Sequence, residues 1–344
     1  MVHRPLRLTL DSDALVSNWH WLAHKGGGAA CGAAVKANAY GLGARAVVKR
    51  LQDAGCRDFF VSTWAEVEAL EPWPGDLALS VLHGAGPDDM AVAATRIARP
   101  VLNSPEQVRR WRETGRPCDV MVDTGMNRLG LAPADVAAGL LDGLRIETLM
   151  SHLACAEEDT DTNEAQRKGF REVAAKVKAK RLSLSNSAGV CLGPRFAFDL
   201  TRPGVALYGG IPRREAAPHI RQVARVEAQI IQRRRIGRGD RVGYGGTFLA
   251  ERDHELAILN IGYADGYLRG FSNAGRAKAG DTPLPVVGRV SMDLTAISVD
   301  AAPDLKEGDW IELDYDLPEA AAQSGLSQYE LLTTLGSRFA RRWT

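Results

Sequence analysis

Between Ala33 and about Gly210, short apolar runs alternate with longer segments whose apolar residues recur at helical spacing. Residues 33–36, 59–62, 77–82, 98–102, 119–122, 146–151, 182–184 and 196–200 are the strand candidates, because each is a brief apolar run set off from its neighbours. The intervening residues 65–70, 105–113 and 163–178 carry one apolar face, and the last of them contains no proline, the pattern of an amphipathic helix. Strands that alternate with helices are joined by crossovers and run parallel. Eight such units predict an α/β fold of the (β/α)8 TIM-barrel type, with an open doubly wound sheet as the competing arrangement.

The pattern changes after Ile211-Pro212-Arg213-Arg214. Residues 222–236, 255–261, 284–290, 295–299 and 309–313 are β-rich and separated by turns such as Gly237-Arg238-Gly239-Asp240, while helical periodicity nearly vanishes. A boundary near residue 215 is therefore expected, with a barrel over 1–215 and a mostly antiparallel β domain over 216–344. The strand-like residues 6–10 could pair with either domain. No internal repeat or low-complexity tract is evident.

Composition narrows the function classes. The 344 residues are 45% hydrophobic and 25% charged, with a formal net charge of +1, so no electrostatic footprint points to nucleic acid or an anionic membrane. A small-molecule substrate is expected instead. Cys31, Cys56, Cys118, Cys155 and Cys191 are scattered and form no C-x-x-C pair, which argues against zinc and for reduced thiols. The first residues lack a secretory leader's apolar core, and no run approaches the roughly 20 apolar residues of a spanning helix; a cytoplasmic location is expected. Gly26-Gly27-Gly28 precedes the first strand candidate, so it is a loop and no dinucleotide fingerprint. The run Arg233-Arg234-Arg235 reads as solvated positions on alternating faces of a strand.

In a barrel of this type the reactive groups follow the C-terminal ends of the strands. Lys36 ends the first candidate strand in an apolar setting that lowers an amine's pKa and favours its nucleophilic, carbonyl-condensing form. The loops after strands seven and eight often build a phosphate site. Here they read Ser185-Asn186-Ser187-Ala188-Gly189 and Thr201-Arg202-Pro203-Gly204-Val205, offering hydroxyls and small residues whose N–H groups can approach an anion. A lysine facing an anion site matches pyridoxal 5'-phosphate (PLP), which needs an amine for its aldehyde and an anchor for its phosphate.

Five ordered segments resemble the bacterial alanine racemase family across nearly the whole chain: Ala34-Val35-Lys36-Ala37-Asn38-Ala39-Tyr40-Gly41, Asp123-Thr124-Gly125-Met126-Asn127-Arg128-Leu129-Gly130, Arg202-Pro203-Gly204-Val205-Ala206-Leu207-Tyr208-Gly209, Val242-Gly243-Tyr244-Gly245-Gly246-Thr247 and Val287-Gly288-Arg289-Val290-Ser291-Met292-Asp293. The resemblance implies a PLP-dependent racemase that interconverts L- and D-alanine, for peptidoglycan supply or for alanine catabolism. It implies that Lys36 carries PLP and acts on D-alanine, and that Tyr244 acts on L-alanine from the opposite face. Inversion requires two bases, because a proton returned to the face it left restores the starting enantiomer. Tyrosine, with a reference pKa of about 10, needs help to act as a base at neutral pH; His152, linked in turn to Arg202, matches the histidine placed for that purpose. Arg202 is implied to face the pyridine nitrogen, where a donor-only guanidinium leaves that nitrogen unprotonated and disfavours transamination. Arg128 and Met292 match substrate-carboxylate positions, and Tyr40, Ser187, Gly204 and Val205 match phosphate positions. Since Tyr244 and Met292 come from the neighbouring subunit in the family, a homodimer with shared active sites is implied.

Two positions depart from the family pattern. Many members carry a carbamylated lysine seven residues before Arg128, where this chain has Met121; a bound anion or Asn127 would have to partner the arginine instead. The phosphate-contacting tyrosine near the C-terminus falls at Ser337. The competing readings are a PLP decarboxylase of similar architecture, disfavoured by arginine at 202, a PLP carrier built on the barrel alone, disfavoured by the extra β domain, and a racemase of broader specificity. His83 after strand three has no assignment.

Overall fold

In the computed structural model, which describes residues 3–344, seven parallel strands form one curled sheet. In order they are Ala33–Ala34, Asp58–Val61, Ala78–Val81, Arg99–Leu102, Pro117–Met121, Arg145–Met150 and Ala179–Ser183. An eighth, Leu200–Thr201, pairs in parallel with Ala30–Cys31, and the main chain closes the ring on both sides of it. Gly32 N donates to Thr201 O and Ala34 N to Pro203 O on one side; Asp199 N donates to Leu182 O and Arg202 N to Ser185 O on the other. Gly32, between Ala30–Cys31 and Ala33–Ala34, has no room for a side chain: a Cβ there would lie 2.8 Å from the Phe60 ring and 2.9 Å from Asp58 O.

Burial explains why the strands are short apolar runs. All four positions of Asp58–Val61 are buried, as expected for parallel strands covered on both faces. Phe60, Val101, Met121, Met150 and Leu200 form a separate apolar cluster, one layer of side chains filling the barrel. The helices outside are set by their caps. Ser104 accepts from Gln107 N ahead of Pro105–Arg112, which buries Val108 and Trp111, and Thr160 caps Asp161–Ala174, which buries Phe170 and Val173. Residues 175–178, expected to be helical, instead turn the chain back toward Ala179–Ser183. That strand starts earlier than its apolar pattern suggests, since polar Arg181 is retained there by a paired contact to the Asp58 carboxylate.

The second sheet has eight strands around the long Ala224–Ile236. Its first half alternates buried Ala224, Val226, Ala228 and Ile230 with more exposed residues, the period-two signature of a strand with one covered face. Leu6–Leu10 pairs antiparallel with it and parallel with Ala340–Trp343. A register shift between Ile230 and Gln232 lets the second half leave for His254–Leu259, which pairs with Thr295–Ser298. All these pairings are antiparallel except that of Leu6–Leu10 with Ala340–Trp343.

Several sequence expectations are corrected. The first strand ends at Ala34, and Lys36 begins a turn. Residues 196–197 belong to the short helix Pro194–Ala197, and Phe198 (φ 53°) redirects the chain before the eighth strand. The expected strand 284–290 contracts to Thr282–Pro285, paired with Arg276–Ala279, which had no apolar signature. Two helices, Leu317–Ser324 and Gln328–Thr333, occupy a region that looked free of helix. Each buries only two side chains, too few to generate a repeating signal. No helix among the described residues is long and apolar enough to cross a membrane.

Candidate active site

A cavity of about 710 Å³ opens at the C-terminal ends of the barrel strands. Lys36, Tyr40, Arg128, His152, Ser187, Arg202, Gly204 and Val205 all line it. Eight of the ten residues singled out from sequence therefore converge within one chain.

Lys36 reaches the cavity through an unusual piece of backbone. After Val35 N donates to Phe60 O, Ala37, Asn38, Ala39 and Tyr40 all adopt left-handed geometry, with φ between 51° and 53°. Left-handed helical geometry costs an L-residue about 1–2 kcal/mol because Cβ crowds the following carbonyl. The turn is tied down from outside: Ala37 N donates to the Glu66 carboxylate at 2.6 Å, Ala44 N to Asn38 Oδ1 at 2.9 Å, and Arg341 Nε to Gly41 O at 2.8 Å. Burial holds the Lys36 amine below its ordinary range, Arg128 adds to the effect, and Glu66 opposes it. A larger neutral fraction makes the amine a better nucleophile.

Across the cavity the loops after strands seven and eight are locked together. Ser187 Oγ accepts from Gly204 N at 2.8 Å and from Ala206 N at 3.3 Å, so those N–H groups are engaged within the protein and the Ser187 hydroxyl proton is left to donate. Asn186 Oδ1 caps Gly189 N. A Cβ at Gly204 would fall 2.2 Å from Tyr40 Oη, so glycine there makes room for the phenol. Tyr40 packs on Tyr208, ring centroids 4.8 Å apart, and burial pushes its hydroxyl up to about 12, keeping it a donor. Two hydroxyl donors beside Gly204 and Val205 can hold an anion.

Arg202 is buried at 6% exposure. Its guanidinium donates to Ser183 Oγ, to Ser151 O at 2.6 Å and to Leu184 O at 3.5 Å. Burial lowers its pKa to about 10, which leaves it cationic at neutral pH. The expected link to His152 thus runs through the carbonyl of the adjacent residue, Ser151. Burial, then Arg202, Arg128 and Lys36, push the His152 ring down to about 3. The imidazole is therefore neutral and can relay a hydrogen bond without adding charge. Arg128 follows Pro117–Met121 on a loop whose Gly125 and Met126 N–H groups donate to Asp123 Oδ1, while Met121 packs into the barrel layer below and brings no anion to the arginine.

Tyr244 and Met292 lie elsewhere. Tyr244 is 69% exposed and Met292 54%. Tyr244 borders a separate apolar depression with Val242, Ile258, Val287 and Leu294. The Met292 turn is held by Ala264 N donating to Met292 O and Tyr263 N to Ser291 O.

Other cavity residues carried no sequence assignment. Tyr329, from Gln328–Thr333, reaches the rim and donates to Glu157 Oε1 at 3.1 Å. His83 and Asn103 stand in the wall. Glu66, which does not line this cavity but ties the Lys36 turn through Ala37 N, was readable only as part of a capping box, Thr63-x-x-Glu66, and that tie spans 29 residues.

Comparison with known proteins places this geometry. Residues 10–212 match the family model for the alanine racemase N-terminal domain, and residues 223–343 the model for the C-terminal domain. Among curated relatives, an alanine racemase of Acidiphilium cryptum is 43% identical, over 97% of each chain. In Agrobacterium fabrum a biosynthetic alanine racemase is 41% identical, over 98% of this chain and 94% of that one, and a catabolic one is 40% identical, over 98% and 91%. A crystal structure of alanine racemase from Bartonella henselae with covalently bound pyridoxal phosphate superposes with a TM-score of 0.91 at 34% identity, covering 99% of this chain and all of that one. With both halves matched and relatives above 40% identity over nearly its full length, the chain belongs to the alanine racemase family.

Proposed function

We propose that the chain is a PLP-dependent racemase that interconverts L- and D-alanine by a two-base mechanism. The observation that carries the reading is the convergence, in one barrel-mouth cavity, of an amine held below its ordinary pKa with a pair of hydroxyl donors and a buried guanidinium. These residues fit PLP: Lys36 would carry the aldehyde carbon, Tyr40, Ser187 and Val205 would hold the phosphate with Gly204 making room for the Tyr40 phenol, and Arg202 would face the ring nitrogen. PLP, when bound, supplies an electron sink that acidifies the Cα–H of an amino acid.

The protein's own groups then decide what becomes of that proton. Lys36 takes or returns it on one face of Cα, serving D-alanine. Tyr244, contributed by a second copy of the chain, does so on the other face for L-alanine. The exposure of Tyr244, Met292 and Leu294, with Tyr244 and Leu294 bordering an apolar depression, supports a homodimeric site, since large apolar side chains gathered on one exposed surface suit contact with a second copy. His152, neutral and adjacent to the Arg202 carbonyl contacts, can hold the Tyr244 phenol by a hydrogen bond. Arg128 and the Met292 N–H would fix the substrate carboxylate, and a planar guanidinium suits that acceptor. Arg202, donor-only and cationic, would keep a proton off the ring nitrogen of bound PLP, which would favour return of the proton to Cα. We assign a barrel to 1–215 and a β domain to 216–344, with Leu6–Leu10 added to the latter; the pairing of that strand with Ala224–Ile236 supports this division.

The test is to incubate PLP-loaded protein with L-alanine in D₂O and follow Cα deuteration together with D-alanine formation. Deuterated D-alanine is expected. Release of CO₂ would identify a decarboxylase, and absence of exchange a carrier; either refutes the reading.

A further inference from the structure

We propose that Glu66 is a positioning residue for Lys36, its carboxylate fixing the left-handed turn that delivers the lysine amine to the barrel mouth. The inference rests on the reading of Lys36 as the cofactor-bearing amine.

Glu66 uses both oxygens. Oε2 accepts from Ser62 N at 2.6 Å and Thr63 N at 3.2 Å, while Oε1 accepts from Ala37 N at 2.6 Å. The Oε2 bonds, with Thr63 Oγ1 accepting from Glu66 N, complete a capping box for Trp64–Leu70, a local device that needs nothing from residue 37. The Oε1 bond does a different job. It joins the end of the second strand to the first residue after Lys36, where four consecutive non-glycine residues take a backbone geometry that they avoid on their own. An acceptor-only group is required at both ends: an amide would turn its NH₂ toward one set of N–H donors. Glu66 also bears the negative charge that opposes Arg128 and burial at the Lys36 amine, so removing it should leave that amine still easier to deprotonate.

The experiment uses the full-length, ligand-free chain and variants Glu66→Gln, Glu66→Asp and Thr63→Ala. Lysines are dimethylated with ¹³C-formaldehyde, and the Lys36 signal, assigned with Lys36→Arg, is titrated by NMR. Separately, unmodified protein is mixed with PLP, quenched with borohydride at intervals, and the labelled peptide quantified. In Glu66→Gln the Lys36 titration should fall by about 0.5–1 pH unit, and labelling of Lys36 should slow by about 10- to 100-fold, the scale of a roughly 1 Å misplacement. Glu66→Asp keeps the charge without the reach, and should restore the titration but not the rate. Thr63→Ala removes the helix cap alone and should leave both within twofold. Wild-type-like titration and labelling in Glu66→Gln would overturn the proposal, as would a Thr63→Ala effect equal to that of Glu66→Gln. Labelling of another lysine in the unmutated protein would instead refute the cofactor reading of Lys36, and the NMR titration would still decide whether Glu66 governs that side chain.

Discussion

Replacing His152 with glutamine should flatten the acid side of the stability profile. In the folded chain the imidazole is pushed down to about 3 by burial and by Arg202, Arg128 and Lys36, whereas an unfolded histidine titrates near about 6.5. Between those values the unfolded chain binds a proton that the folded chain refuses. The contribution of neutral His152 is therefore whole above pH about 6.5, and is lost progressively as pH falls toward the folded value. At about 1.36 kcal/mol per pH unit, the loss between pH about 6.5 and 5 is about 2 kcal/mol. That is an upper bound, because part of the ring faces the cavity and water there screens it. The assay is urea unfolding of ligand-free protein at pH 7, 6 and 5 and fixed concentration, comparing wild type with His152→Gln. The stability difference between the two should shift toward the variant by up to about 2 kcal/mol across that range. Parallel profiles, or a His152 NMR signal titrating near 6.5, would refute the reasoning.

Gly204→Ala should cost about 1–3 kcal/mol in PLP binding, or about a 5- to 150-fold rise in Kd, because the new Cβ would meet Tyr40 Oη at 2.2 Å while Tyr208 backs the ring; unchanged affinity in a dialysis titration would count against that packing argument. Arg202→Glu should raise pyruvate formed per racemisation event, measured by coupled lactate dehydrogenase, and a constant product ratio would contradict the role given to the guanidinium. Tyr244→Phe should slow Cα deuteration of L-alanine by about 100-fold or more while sparing that of D-alanine; equal losses from both enantiomers in ¹H NMR would rule out face-specific bases.

Much of the fold was legible because its signals are local. Parallel strands buried on both faces must be continuous apolar runs, and crossover helices must show one apolar stripe, so Asp58–Val61 and Pro105–Arg112 announce themselves within a few residues. Contiguous motifs were equally readable: Lys36, Tyr40, Ser187, Arg202, Gly204 and Val205 sit on segments that follow strands one, seven and eight, and the barrel geometry brings strand ends together. The eighth strand was misplaced because the apolar residues Phe196 and Ala197 are buried by a short helix, and burial does not distinguish the two. The helices at Leu317–Ser324 and Gln328–Thr333 were missed because two buried residues each make no period.

By itself, the sequence determined the alternation of strand and helix, the change to β structure after the barrel, and the identity of the groups at the strand ends, since these follow from near-neighbour sterics and the solvation of single segments. Only the tertiary structure decided that Lys36 precedes a left-handed turn held at Ala37 by a glutamate 29 residues farther on, that Arg202 donates to Ser151 O, that His152 is neutral, and that Tyr244 faces outward. Each of those depends on a contact between segments distant in the chain, whose free energy exists only once folding has removed the water between them.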